Sequence, residues 1–304
     1  MSRVLRLGTR GSALATTQSG HVAERLAAAG VECELVLIKT EGDVNSAPLA
    51  TIGGTGVFVT AVRTALLDGR VDVIVHSYKD LPTAPADGIR LVAVPPRANP
   101  FDALCARDGM RLVDLPDGAT VGTGSPRRVA QLRRLRPDLA VTPIRGNVDT
   151  RLGLVASGAL DAVVLARAGL ERLDRHHQIT ELFDGGDFLP APAQGALAVE
   201  CRDDDEWFTD ALASVDDRDT RAAALAERAL LAALEAGCSA PVAALGRVRD
   251  DEVTLDGAVI GVDGRREIRA QRTGPVDDAA AVGAALAADL ISRGAAELLG
   301  AARS

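Results

Sequence analysis

Along the first two-thirds of the chain, short apolar runs alternate with longer stretches in which apolar residues return every three or four positions. The runs at 3–8, 33–38, 71–75, 90–94, 119–122, 139–144, 160–165 and 196–200 predict strands. Between 13 and 29, Leu14, Gln18, Val22 and Leu26 recur at i+4, and between 57 and 68 Val57, Phe58, Ala61, Val62, Ala65 and Leu66 form one stripe. Both patterns predict helices that bury a single face, and their alternation with strands predicts α/β layers. From about residue 217 the grammar changes to a helix over 219–235, a loop at Gly237-Cys238-Ser239-Ala240-Pro241, strands near 242–249, 252–260 and 266–273, and a closing helix over 278–292. Turn pairs at Asp250-Asp251 and Asp263-Gly264 make these strands consecutive and antiparallel, which predicts a small separate α+β domain.

Two internal echoes suggest that the α/β part is doubled. LLDGRVDVIV (66–75) parallels VASGALDAVV (155–164), each with a helix end, a Gly and then an Asp inside an apolar strand. LGTRGSA (7–13) parallels VGTGSPR (121–127), each a Gly-Thr followed by a Ser placed to cap the next helix, with Pro126 at a first helical position where its missing N–H costs nothing. Such turns aim unpaired helix N–H groups at one spot and suit a carboxylate or phosphate. The alternative is that short units of this kind recur by chance in any α/β chain. The doubled reading divides the chain into 1–95 with 196–214 as one lobe, 101–189 as a second, and 217–304 as a C-terminal domain. Pro95, Pro96 and Pro100 on the way out, and LPAPAQG (189–195) on the return, mark the crossings as a hinge.

Charge sharpens this picture. The net charge of −8 argues against nucleic-acid binding, which selects for a broad basic surface. Yet Arg127, Arg128, Arg133, Arg134, Arg136, Arg145 and Arg151 face only Asp138 and Asp149 in their own segment, so a small anionic partner is expected. Arg133, Arg134 and Arg136, further along the helix, are assigned to solvated or structural roles. Lys39 and Lys79 are the only lysines. No run reaches the roughly 20 apolar residues of a membrane span, and the start MSRVLRLGTRGS has no apolar signal core, so a cytoplasmic setting without membrane association is expected. Cys33, Cys105, Cys201 and Cys238 form no CxxC pair and signal neither a disulfide framework nor a zinc site.

Three groups could carry chemistry. Cys238 lies in a loop after a helix stopped by Gly237, which leaves open a reactive or modified thiol and an inert one; the other three cysteines sit in or beside apolar runs and read as core residues. His76-Ser77-Tyr78-Lys79-Asp80 emerges at the carboxyl end of an apolar strand, the edge where open α/β sheets place ligands. Lys79 and Asp80 are either a surface pair or a divided labour, the ammonium holding a carboxylate while the aspartate offsets developing positive charge. Arg127, Arg128, Arg145 and Arg151 offer rigid donor forks that match carboxylates. GGTG (53–56) and GTGSPR fit neither a phosphate loop nor a dinucleotide fingerprint, so a nucleotide or phosphate-ester enzyme has little to rest on. A non-catalytic two-lobed anion-binding or sensor protein is the main alternative to an enzyme.

Taken together, GTRGSALA (8–15), HSYKDLP (76–82), GTGSPRR (122–128), IRGNVDTRL (144–152), PAPAQGALAVECR (190–202) and EAGCSAPV (235–242) resemble the signatures of the porphobilinogen deaminase (hydroxymethylbilane synthase) family, in the family's order. The resemblance implies an α/β fold of two hinged lobes like type II periplasmic binding proteins, plus a small C-terminal α+β domain with an antiparallel sheet. It implies a monomeric transferase that condenses four molecules of porphobilinogen head to tail, with loss of ammonia, into the linear hydroxymethylbilane used for tetrapyrrole and haem biosynthesis. By the same resemblance Cys238 carries a dipyrromethane cofactor through a thioether, and Asp80 is the catalytic residue. Arg10, Ser12, Gln18, Ser77, Lys79, Thr123, Ser125, Arg127, Arg128, Arg145, Arg151 and Arg172 would bind cofactor and substrate. The chain departs from the family pattern at Thr51, Thr55 and Thr60, where lysines are common, and at Pro126, Asp149 and Ala193.

Overall fold

The computed structural model describes residues 4–39, 56–206, 209–236 and 240–301. Cys238, Thr51 and Thr55 lie outside the described residues. In chain order the strands are β1 (Leu5–Arg10), β2 (Cys33–Ile38), β3 (Val73–Ser77), β4 (Ile89–Ala93), β5 (Asp102–Ala106), β6 (Thr120–Gly122), β7 (Ala140–Thr142), β8 (Ala162–Ala166), β9 (Glu181–Leu182), β10 (Leu197–Arg202), β11 (Val242–Arg249), β12 (Glu252–Ile260) and β13 (Glu267–Pro275). The chain divides into two compact units, residues 1–98 with 196–221 and residues 99–195 with 222–304.

The first unit is a five-stranded sheet of order β2-β1-β3-β10-β4. β1 pairs in parallel with β2 and β3, while β10 runs antiparallel to β3 and β4. Alternation along the strands serves two helices. One face, with Leu5, Leu7, Val73, Val75 and Val199, is packed with Val22 and Leu26 of the helix Ala13–Ala28. The other, with Ile38 and Ile74, is packed with Val62, Ala65 and Leu66 of the helix Gly56–Leu67. Each such fully buried side chain contributes about 1.5–3 kcal/mol.

The second unit holds a five-stranded sheet of order β7-β6-β8-β5-β9, position for position the same arrangement: two parallel neighbours of the first strand, then an antiparallel strand, then an edge. The first echo has a structural cause. Asp72 and Asp161 stand just ahead of β3 and β8 rather than inside them, and each carboxylate accepts a backbone N–H from the neighbouring strand, Arg6 N at 2.9 Å and Thr120 N at 2.7 Å. β5 and β9 were not expected from periodicity, because DALCA and EL are short and partly polar. The same unit carries the antiparallel sheet β11-β12-β13, in the order the turns predict, with Val253, Leu255 and Val259 packed on Leu230 and Leu234 and on Leu286 and Leu290. The helices Arg218–Ala233 and Ala279–Ser292 approach so closely that a side chain on Gly283 would strike the Ala226 carbonyl, which explains a glycine inside a helix. Ala243, Leu245, Ala258 and Ile260 join this sheet to Ala130, Leu189 and Phe101 of the larger one.

Cys105 and Cys201 are buried and Cys33 is half-buried; burial raises all three thiols, Cys105 to about 12, so they stay protonated.

Candidate active site

In the first unit, β1 ends at Arg10 and the chain turns into the helix Ala13–Ala28 through Ser12, whose Oγ accepts the Ala15 N–H at 3.3 Å. One and a half turns on, buried Gln18 donates from Nε2 to Ser77 Oγ at 2.8 Å, tying the helix to the carboxyl end of β3. The backbone then makes one short turn over Tyr78–Asp80: Tyr78 is buried with its N–H on the Ala196 carbonyl, and Asp80 is left exposed. Arg10, Ser12, Gln18, Ser77 and Asp80 line one cavity of about 230 Å³, together with His76 and Val59. Lys79, half-buried, is outside that lining. The cavity therefore joins a guanidinium, a helix N-terminus and a carboxylate, a set able to hold an acid group while facing a cation.

In the second unit the equivalent turn follows β6. Thr123 is buried and its Oγ1 accepts the Ser125 N–H at 3.3 Å; Ser125 Oγ accepts from Arg128 N at 3.5 Å, and Pro126 opens the helix Pro126–Leu135. Gly124 is required, because a Cβ there would stand 2.7 Å from the Ile144 carbonyl oxygen. Arg127 and Arg128 do not project into the open. Arg128 donates from Nε and Nη2 to Asp102 Oδ1 at 3.0 and 2.7 Å and from Nη1 to the Val164 carbonyl, while Arg127 Nη1 lies 2.7 Å from Asp102 Oδ2 and donates to the Leu189 carbonyl. Gln194 Nε2 adds a bond to Asp102 Oδ1 at 2.9 Å.

Asp102 is fully buried; burial pushes its carboxyl up, but Arg127 and Arg128 outweigh this and hold it well below the usual range. Burial in turn lowers Arg127, against the pull of Asp102. Arg151 donates Nε to the Gly146 carbonyl and is lowered by burial and then by the like charge of Arg128. Arg172 donates Nη2 to the Gly195 carbonyl and is lowered by burial to about 10, with Glu171 offsetting part of the effect. Arg145 is exposed. Arg133, Arg134 and Arg136 bond to the Val262, Asp187 and Leu112 carbonyls, which is structural work.

Asp102, Gln194 and Glu200 were not singled out as site residues, and His76 entered only as the first residue of the strand-end segment 76–80. Asp102 had a signal: an acid at the head of an apolar run, the grammar of Asp72 and Asp161. It was hidden because no strand was expected over 102–106.

These features define a class: a mixed α/β protein with two sheets of one strand order, each opening a helix through a Ser-capped turn, and a small antiparallel sheet. Family models match it twice, porphobilinogen deaminase, dipyrromethane cofactor binding domain, over residues 5–210, and porphobilinogen deaminase, C-terminal domain, over residues 222–292. Similar curated proteins are porphobilinogen deaminases of Thermobifida fusca (56% identical, over 97% of this chain and 95% of that protein), Nocardia farcinica (54%, 97% and 88%) and Mycobacterium marinum (53%, 97% and 97%). Among solved structures the methionine-binding protein MetQ matches with a TM-score of 0.45 and 12% identity, over 69% of this chain and 89% of that one. The chain belongs to the porphobilinogen deaminase family.

Proposed function

We propose that Asp80 is the residue at which this chain condenses porphobilinogen, and that Cys238 holds the dipyrromethane on which the product grows. The chain is a transferase that joins four porphobilinogen molecules head to tail with loss of ammonia, giving linear hydroxymethylbilane. When bound, the dipyrromethane supplies the free pyrrole carbon that takes the first unit. The observation that carries the residue assignment is the cavity in which Arg10, Ser12, Gln18, Ser77 and Asp80 meet.

Each pyrrole brings two carboxylates, so cofactor and product are polyacids, and the residues present suit them. Two arginines share the one carboxylate of Asp102, and among the described residues no carboxylate pairs with Arg151. A substrate acid placed there relieves Arg127 and Arg151, which burial and the like charge of Arg128 have depressed. Arg10, Lys79, Arg145, Arg151 and Arg172 hold acetate and propionate arms by charge. Ser12, Thr123 and Ser125 position the helix N-termini for the same arms, and Gln18 with Ser77 orients the rim of the cavity. Arg127 and Arg128 contribute mainly through the charge they leave uncancelled.

Asp80 faces the substrate's ring. As the aminomethyl C–N bond breaks and its electron pair leaves with ammonia, positive charge spreads over the pyrrole and its N–H; the carboxylate stabilises that charge. It does so again after the new C–C bond forms, until the ring proton departs. An exposed carboxylate at the cavity mouth can serve successive units without being buried unpaired. The enzyme acts as a monomer in the cytoplasm, without nucleic acid or membrane.

Intact-mass measurement tests the attachment. The purified protein is expected to exceed its sequence mass by two condensed pyrrole units and to colour with an acidic aldehyde reagent, both lost in Cys238→Ala. Unmodified protein with full activity would overturn the assignment.

A further inference from the structure

His76 is a buried ionisable group that the mechanism above leaves unused. It lies on β3 opposite Ala198 of β10, and the small partner leaves room for the diagonal neighbour Glu200 on the same face. Arg63, from the helix Gly56–Leu67, grips Glu200 with Nε at 2.9 Å and Nη2 at 2.5 Å. Burial pushes the Glu200 carboxyl up, but His76 and Arg63 prevail and hold it at about 2, so it is a fixed anion at neutral pH. His76 Nε2 is buried and stands 3.5 Å from Glu200 Oε2, within ion-pair reach but longer than a good hydrogen bond. The same ring lines the cavity of Arg10, Ser12, Gln18, Ser77 and Asp80.

An imidazole faced by a carboxylate that an arginine in turn holds still is an oriented ring rather than a space-filler. A contact of this length between such groups can shorten when a substrate is seated beside them. The neighbouring positions show what tightening would do. His76 directly precedes Ser77, which takes the Gln18 amide, and stands on the strand that delivers Asp80.

Resting on the reading of Asp80 above, we propose that His76 is a further positioning residue for the condensation: Glu200, locked by Arg63, takes the imidazole Nε2–H when porphobilinogen is seated, and the anchored ring holds the end of β3 so that Ser77 and Asp80 keep their places. The tautomer is set by the carboxylate, with the proton on Nε2.

The test uses the cofactor-bearing enzyme and its His76→Gln, Glu200→Gln and doubly substituted forms, measuring kcat and KM for porphobilinogen and Tm for each. His76→Gln is expected to lower kcat by about 100-fold, the scale of a small misplacement at a reacting centre, with KM little changed. The double variant is expected to be no slower than the slower single one, because both remove one coupling. A kcat for His76→Gln within about twofold of wild type, with only Tm lowered, would make it an ordinary core histidine, and multiplicative losses in the double variant would break the link through Glu200. Should the variants fail to fold, ring 15N shifts of His76 in the wild-type enzyme decide: a proton on Nε2 when substrate is bound supports the proposal, and an unprotonated Nε2 rejects it. Normal turnover in Asp80→Asn would instead bring down the underlying reading, a separate result.

Discussion

The two strand-to-helix turns begin alike and end differently. After Ser12 come Ala13, Leu14 and Ala15, small and apolar, so the first turn opens on a cavity whose charges, Arg10 and Asp80, are delivered by strand ends. After Ser125 come Pro126, Arg127 and Arg128, whose heads fold back onto buried Asp102. One repeated backbone thus supports an open, charged cavity in one unit and a buried store of charge in the other. A shared turn supplies direction, through helix N–H groups, while the residues that follow decide whether charge is exposed or stored.

Four substitutions break or sharpen that contrast. The largest effect is expected in the reservoir: Asp102→Ala leaves two guanidinium groups buried without their carboxylate and should cost about 3–5 kcal/mol, seen as a Tm lower by roughly 10 °C. A variant as stable as wild type would mean the arginines escape to solvent. At the rim the loss should fall on rate. Asp80→Asn is expected to slow porphobilinogen consumption about 100- to 1,000-fold, with Tm moved by no more than about 2 °C, because the side chain is exposed. The smallest effects concern what the turns share: Ser12→Ala and Ser125→Ala should each remove a helix cap worth about 1 kcal/mol, and thermal unfolding that showed a loss in only one would end the claim of equivalence.

Much of this was legible in the chain. Short apolar runs mark the strands around β1, β2, β3 and β10, because a sheet covered by helices on both faces needs apolar residues at nearly every position, and turn residues mark the antiparallel trio β11-β12-β13. The echo around Asp72 and Asp161 marks a repeated junction, which the structure resolves as an acid accepting a neighbouring strand's N–H. β5 escaped notice because five residues headed by an acid carry too little pattern, and with it went the partner of Arg127 and Arg128.

By itself the sequence determined which residue types were available, the local turns that Ser, Gly and Pro impose, and the family whose motifs they spell, since those depend on near neighbours. Only the tertiary structure decided that Asp102 pairs with Arg128, 26 positions away in the chain, and that Arg63 reaches across 137 to hold Glu200. A carboxylate's partner is chosen by distance in space and by the cost of burying charge alone, and neither is written in the order of the residues.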